Sequence, residues 1–342
     1  MTQAAGWPSK NMQLQRRALY NLLRQNWLLD PEEDAADWQV EDYRSLSLEV
    51  LFQRLASLGL PLDRNSFLAF AEQSDSPEDF SDLLLVDRDD LDAPSQDQVY
   101  LLIFELWRRV LPERLCLSVF CDELDHQINL YDRGDLQRVE SLQDILANLQ
   151  EVLDENTDQG VEPIEVFKAV SEGCANDIEG FLYDYITEQL DDDNVSYAAE
   201  LVDGFYNYMP DVKWFNFLRA RVLVESDPVA ANALFAGLIS EAMRDPDLEF
   251  CLEMLAFMVQ GGERTLFVTL VKQALSRFKN EDDFQELLNI CVDFYRRLDY
   301  EWEEQALQAI LDSRVNKSED DLVSAEDPHR KELLRILEKR AA

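Results

Sequence analysis

Apolar residues recur along this chain at the three- and four-residue spacing of a helix, and strand-like alternation is nearly absent. Between residues 11 and 27, Leu14, Ala18, Leu22 and Leu23 share one face, with Ser9 or Asn11 placed to cap the helix. Val50, Leu51, Leu55 and Leu58 follow Ser45 or Ser47, and Gly59 stops that run. Asp63 precedes a short helix carrying Phe67, Phe70 and Ala71. Ser76-Pro77-Glu78-Asp79 joins an N-cap, a proline at the first helical position and first-turn acids, ahead of a helix ending near Val86. Helices are also predicted over 95–110, with Val99, Leu102, Ile103 and Leu106 inward, and from Pro112 to about Tyr131. The run 115–120 alternates like a strand, but its continuation through Leu124 to Ile128 keeps helical spacing. The Asp-rich stretch 87–94 breaks the periodicity and is the expected flexible boundary.

Beyond about residue 176 the pattern becomes regular. Turns at Pro210-Asp211, Asp245-Pro246 and Asn280-Glu281-Asp282 recur about every 36 residues, and two amphipathic segments lie within each interval. These are 214–224 with 229–243, 248–259 with 265–278, and 284–298 with 302–311. The segment 265–278 carries Leu266, Phe267, Leu270, Val271, Ala274, Leu275 and Phe278, a stripe too broad for one partner helix. In the first interval, Trp214, Ala230, Leu234 and Gly237 fall where the tetratricopeptide repeat places its aromatic, its small residues and the apolar residue between them, so the segment resembles a degenerate member of that family. Leu218 stands where the family has a small residue, and no proline follows Gly237 at the family spacing. The resemblance implies stacked helix pairs with a groove that takes a peptide or helix. The expected fold is all-α, a helical N-terminal module followed by a helix-pair α-solenoid. Its regions are 1–90, 91–175, the repeats 176–314, and a loop with a C-terminal basic helix at 315–342.

Charge changes the picture of partners. Seventy acidic against 31 basic residues give a net charge of -39, which repels phosphate backbones and makes a basic protein the natural electrostatic complement. The excess is uneven: residues 1–29 contain no acid but carry Lys10, Arg16, Arg17 and Arg24, and the last helix is basic through His329, Arg330, Lys331, Arg335, Lys339 and Arg340. A basic first helix is either a targeting or contact element, or it docks on the acidic body of its own chain. With 46% hydrophobic residues a continuous core is expected. Five cysteines without a Cys-x-x-Cys pair read as buried thiols of a reducing compartment. The absence of a long apolar run or secretory h-region adds to a cytoplasmic, soluble expectation.

Candidate chemistry is sparse. No nucleophile elbow, phosphate-cradling glycine loop or cysteine–base pair occurs, so no catalytic residue, cofactor or enzymatic activity is expected. The segment 154–165 matches the oxygen donors of a calcium-binding EF-hand loop at Asp154, Asn156, Asp158 and Glu165, although its glycine, Gly160, stands one position late. A calcium-responsive protein is therefore one alternative, and an acidic chaperone or inhibitor that masks a basic surface is another. Both histidines follow a glutamate by three, Glu123–His126 and Glu326–His329, the spacing of di-iron ligands, but Pro328 keeps the second pair off a common helical face. The leading expectation is a non-enzymatic scaffold or adaptor that binds protein through helical-repeat surfaces.

Overall fold

A computed structural model describes residues 14–32, 34–136, 138–242, 244 and 247–339. The fold is all-α, with eighteen helices, no strand among the described residues, and one isolated bridge between Asn280 and Leu322. None of the described helices is long and apolar enough to cross a membrane. The chain forms two compact units, Met1–Leu182 with Asn207–Met209, and Tyr183–Tyr206 with Pro210–Ala342.

The first unit holds α1 (Arg16–Leu29), α2 (Asp37–Val40), α3 (Leu48–Ser57), α4 (Arg64–Ala71), α5 (Pro77–Leu85), α6 (Ala93–Val110), α7 (Leu117–Asp132), α8 (Val139–Asp158), α9 (Pro163–Gly173) and the start of α10 (Ile178–Asp191). Helix α6 is its centre. Val99 to Trp107 are all buried, so α6 is covered on every side, as its apolar circumference requires. Helices α3 and α5 and the 3₁₀ turn Tyr43–Ser45 pack on it, and Phe67 meets Phe80 edge-on at 4.9 Å. Ser47, Asp63 and Ser76 cap α3, α4 and α5 by accepting backbone N–H bonds, as their positions predict. The caps proposed at Ser9 or Asn11, like Lys10, lie outside the described residues.

The stretch 87–94 is not a flexible boundary. Arg88 donates to the carbonyls of Leu58 and Gly59 and pairs with Asp90, while Asp92 caps α6 at the Ser95 N–H. The turn is pinned between two helices of one core, so the division expected at residue 90 falls inside a single unit.

The second unit contains the end of α10, then α11 (Val195–Phe205), α12 (Val212–Ser226), α13 (Pro228–Ala242), α14 (Leu248–Gly261), α15 (Arg264–Leu275), α16 (Glu281–Arg297), α17 (Glu301–Arg314) and α18 (Pro328–Glu338). Helix α12 packs on α13, α14 on α15 and α16 on α17, while α12 also meets α14, α14 meets α16 and α13 meets α15. Packing on the next helix and on the next but one is the geometry of a helix-pair solenoid. The register repeats. Asp211, Asp247 and Asn280 cap α12, α14 and α16, and the fourth and seventh residues after each cap are buried: Phe215 and Leu218, Cys251 and Met254, Phe284 and Leu287. Aromatic rings link the early rungs, with Tyr183 to Trp214 and Trp214 to Phe250 each at 4.8 Å.

The residues carrying the tetratricopeptide resemblance are divided by this packing. Trp214 is buried, Ala230 and Leu234 are half-buried, and Gly237 is exposed with open space where a Cβ would stand. The packed face of α13 is instead Ala231, Phe235, Leu238, Ile239 and Ala242. Helix α18 packs against α15 and α17. Arg314, 1% exposed, fastens its start by gripping Glu281 through two bonds of 2.6 Å and Asp327 at 3.1 Å. The cysteines are free, with Cys121, Cys174, Cys251 and Cys291 buried.

Candidate functional site

The acid-free first helix is docked on its own chain. In the first unit, α1 turns Arg17, Asn21, Arg24, Gln25 and Leu28 toward α7, successive positions of one helical face. Helix α7 answers with Asp122, Asp125, His126, Asn129 and Leu130, and with Arg133 at its C-cap. The segment Glu41 to Arg44 supplies the third wall of a cleft of about 200 Å³.

The floor of the cleft is a closed ion network. Asp122, 2% exposed, accepts from Arg17 Nε at 2.6 Å, from Arg44 Nη2 at 2.5 Å and from Asn21 at 3.1 Å. Burial opposes its charge, yet the two guanidinium groups hold the Asp122 carboxyl well below its ordinary range. Asp125 is also buried and accepts the backbone N–H groups of Ala175 and Asn176 and the Asn21 amide. Here burial wins, and the Asp125 carboxyl is raised. Arg44 is positioned from behind by Arg109, which donates to the carbonyls of Tyr43, Arg44 and Leu46 and pairs with buried Glu105. Burial and the nearby Arg44 push His126 below its ordinary value, against the pull of Glu123 and Asp122.

The rim is less well satisfied. Arg24 reaches only Asp42, at 3.7 Å, and burial together with the charges of Arg133, Arg17 and Arg44 lowers it. Arg133 is held at the rim by a Schellman turn in which the Gly134 N–H meets Tyr131 O and the Asp135 N–H meets Leu130 O. The Arg-Gly-Asp sequence there is thus a helix terminator.

A second feature lies on the solenoid. Helices α14 and α16 carry Glu249, Glu253, Asp282, Asp283 and Glu286. Partial desolvation and mutual repulsion raise three of these carboxyls: Glu249 through Asp247 and Glu253, Asp283 through Asp282, and Glu286 through Asp282, Asp283 and Glu253. Lys213 offsets Glu249 in part but is itself bonded to Asp211 and Asp247, so these carboxylates leave a net negative stripe.

The calcium candidates do not form a loop. Asp154, Asn156 and Asp158 are in the last turns of α8, where Asn156 points away from the face that Asp154 and Asp158 share, and Glu165 is in the first turn of α9. The Asn156 amide donates to Val152 O at 2.7 Å, and Asp154 accepts from the Tyr208 hydroxyl. Gly160, at φ +95°, ends α8 in a Schellman turn through the bonds Gly160 N–H to Thr157 O and Val161 N–H to Asn156 O. Glycine one position late for an EF-hand is on time for a helix stop. Of the two Glu-x-x-His pairs, Glu123 and His126 lie in the first unit, where Glu123 pairs with Arg44. Glu326 pairs with Lys331 in the second unit, and His329 Nδ1 meets Arg314 at 2.9 Å. Among the described residues no three His, Cys, Asp or Glu side chains are gathered to hold a metal.

Set beside known proteins, the chain matches no family model, no curated protein and no solved structure.

The sequence flags Arg16, Arg17 and Arg24 through the missing acids, but not the groups they meet. A signal for the other wall exists in Asp122, Asp125, His126 and Asn129, a polar stripe at helical spacing beside buried Leu124 and Ile128.

Proposed function

We propose that this chain is a non-enzymatic interaction scaffold whose helix-pair array, α12 to α17, receives a basic segment of a protein partner. The observation that carries this reading is the acidic stripe across α14 and α16, set on a layer of helices in repeating register. Several basic side chains are used internally and do not screen the acidity elsewhere: Arg16 pairs with Asp97, Arg17 with Asp122, Arg314 with Glu281, and Arg330 donates to the Leu275 carbonyl. The long-range field therefore favours a cation-bearing partner.

Photo-crosslinkers placed on α14 and α16 of the full chain, followed by mass spectrometry of captured partners, test the reading. Crosslinks to basic segments, lost when Glu249, Glu253 and Glu286 become Gln, are expected. Partners captured only from the first unit, or binding indifferent to the substitutions, would sink it. The same uneven charge supports a dedicated mask of a basic protein as the second reading. Both readings rest on charge and both lose affinity between about 0.05 and 0.5 M salt; a mask is distinguished by crosslinks spread over the acidic surface, where a scaffold confines them to α14 and α16.

A further inference from the structure

We propose that the cleft between α1, α7 and the segment Glu41 to Arg44 binds a single oxyanion group, a phosphate or a carboxylate. Four guanidinium groups line it: Arg17, Arg24, Arg44 and Arg133. The carboxylates facing them are Asp42, Asp122 and Asp125 from the lining, with Glu123 beside Arg44 and Asp132 near enough to Arg133 to feel its charge without a bond to it. Glu41 also lines the cleft, but it is held by Arg54, with Arg54 Nη2 at 2.8 Å from Glu41 Oε1.

Asp122 and Asp125 take their bonds at the floor and leave the rim under-neutralised. Arg24 has one distant acid partner at 3.7 Å and three arginines as electrostatic neighbours. Arg133 makes no ion pair or side-chain hydrogen bond among the described residues. Gln25, another lining residue, has an amide nitrogen sealed from solvent with no acceptor. An oxyanion supplies what all three lack, an acceptor within hydrogen-bonding distance, and the planar forks of Arg24 and Arg133 suit it. A site this small in a chain of net charge -39 takes one anionic group, not a polyanion, which the acidic surface repels.

The full chain is titrated with inorganic phosphate at constant ionic strength, sodium chloride making up the balance, with binding read by calorimetry and by the melting midpoint. Phosphate is expected to raise the midpoint above the chloride control. Combined Arg24→Gln and Arg133→Gln should weaken phosphate binding at least about tenfold. Arg24→Lys, which keeps the charge and loses the fork, should lie between. Arg138→Gln is the control, because Arg138 is 74% exposed and outside the cleft. An acetate arm separates the sources: tighter binding of acetate than of phosphate identifies a carboxylate ligand, and tighter binding of phosphate a phosphoryl one. Neither phosphate nor acetate better than chloride, or an affinity unchanged in the double variant, overturns the proposal, as does equal loss in Arg138→Gln.

Discussion

Asp122 shows how much one buried charge can organise. Its two guanidinium partners are largely buried, with side chains 13% and 16% exposed, so removing the carboxylate strands two cations inside the unit. Asp122→Ala should therefore cost about 3–5 kcal/mol in chemical denaturation, the range for breaking a buried pair from one side. A loss under about 1 kcal/mol would mean that water reaches the network. His126 gives a second, pH-dependent expectation. Its folded value lies below the 6.5 of the unfolded chain, so on acidification the unfolded state takes up the proton first. Stability thus falls as pH drops from 6.5 towards the lower folded value, and His126→Asn should flatten that part of the curve. The Asp122 contribution disappears only further down, below its ordinary 3.8. The raised Asp125 has the opposite sign and a higher window, its contribution growing as pH falls from its raised folded value towards 3.8 and complete below that.

Helix ends explain most of the elements, and they were the most readable part of the sequence. Ser47, Asp63 and Ser76 cap where their spacing places them, because a short acceptor side chain before an apolar face has few other uses. Glycine at Gly59, Gly134 and Gly160 adopts positive φ after α3, α7 and α8, but α10 and α16 stop on Asp193 and Asp299, at φ 63° and 57°. A non-glycine residue in that conformation costs of order 1 kcal/mol. Asp299→Gly should accordingly raise stability by roughly 0.5–1 kcal/mol in thermal or urea unfolding. Gly237 is the reverse case. It sits inside α13 with nothing near its missing Cβ, so Gly237→Ala should stabilise by a similar ~0.5–1 kcal/mol. Destabilisation by the alanine would show that Gly237 keeps a close neighbour after all, as the tetratricopeptide pattern implies.

At the level of the whole chain, the acid excess is a standing repulsion that internal pairs relieve only in places. Screening should lessen it: raising sodium chloride from about 0.05 to 0.5 M is expected to raise the melting temperature. A fall would mean that pairs such as Arg17–Asp122 and Arg314–Glu281 outweigh the global field. The helix starts of the second unit were legible because its turns carry the caps Asp211, Asp247 and Asn280. The boundary of the first unit was misplaced at the Asp-rich stretch 87–94, since a local run of acids does not reveal that Arg88 reaches back to Leu58 and Gly59.

By itself, the sequence determined the helical class, the positions of many caps and stops, and the oddity of an acid-free first helix. These are local properties, written in spacing and residue type over one or two turns. Only the tertiary structure decided that Arg17 meets Asp122 across about a hundred residues, that the supposed calcium donors are divided between α8 and α9, and that Arg24 and Arg133 share a rim. Such pairings depend on which helix faces are brought together, and in a chain with 70 acids every arginine has many possible partners in sequence. Burial selects among them, because a charge removed from water is tolerated only where its counter-charge is within bonding distance.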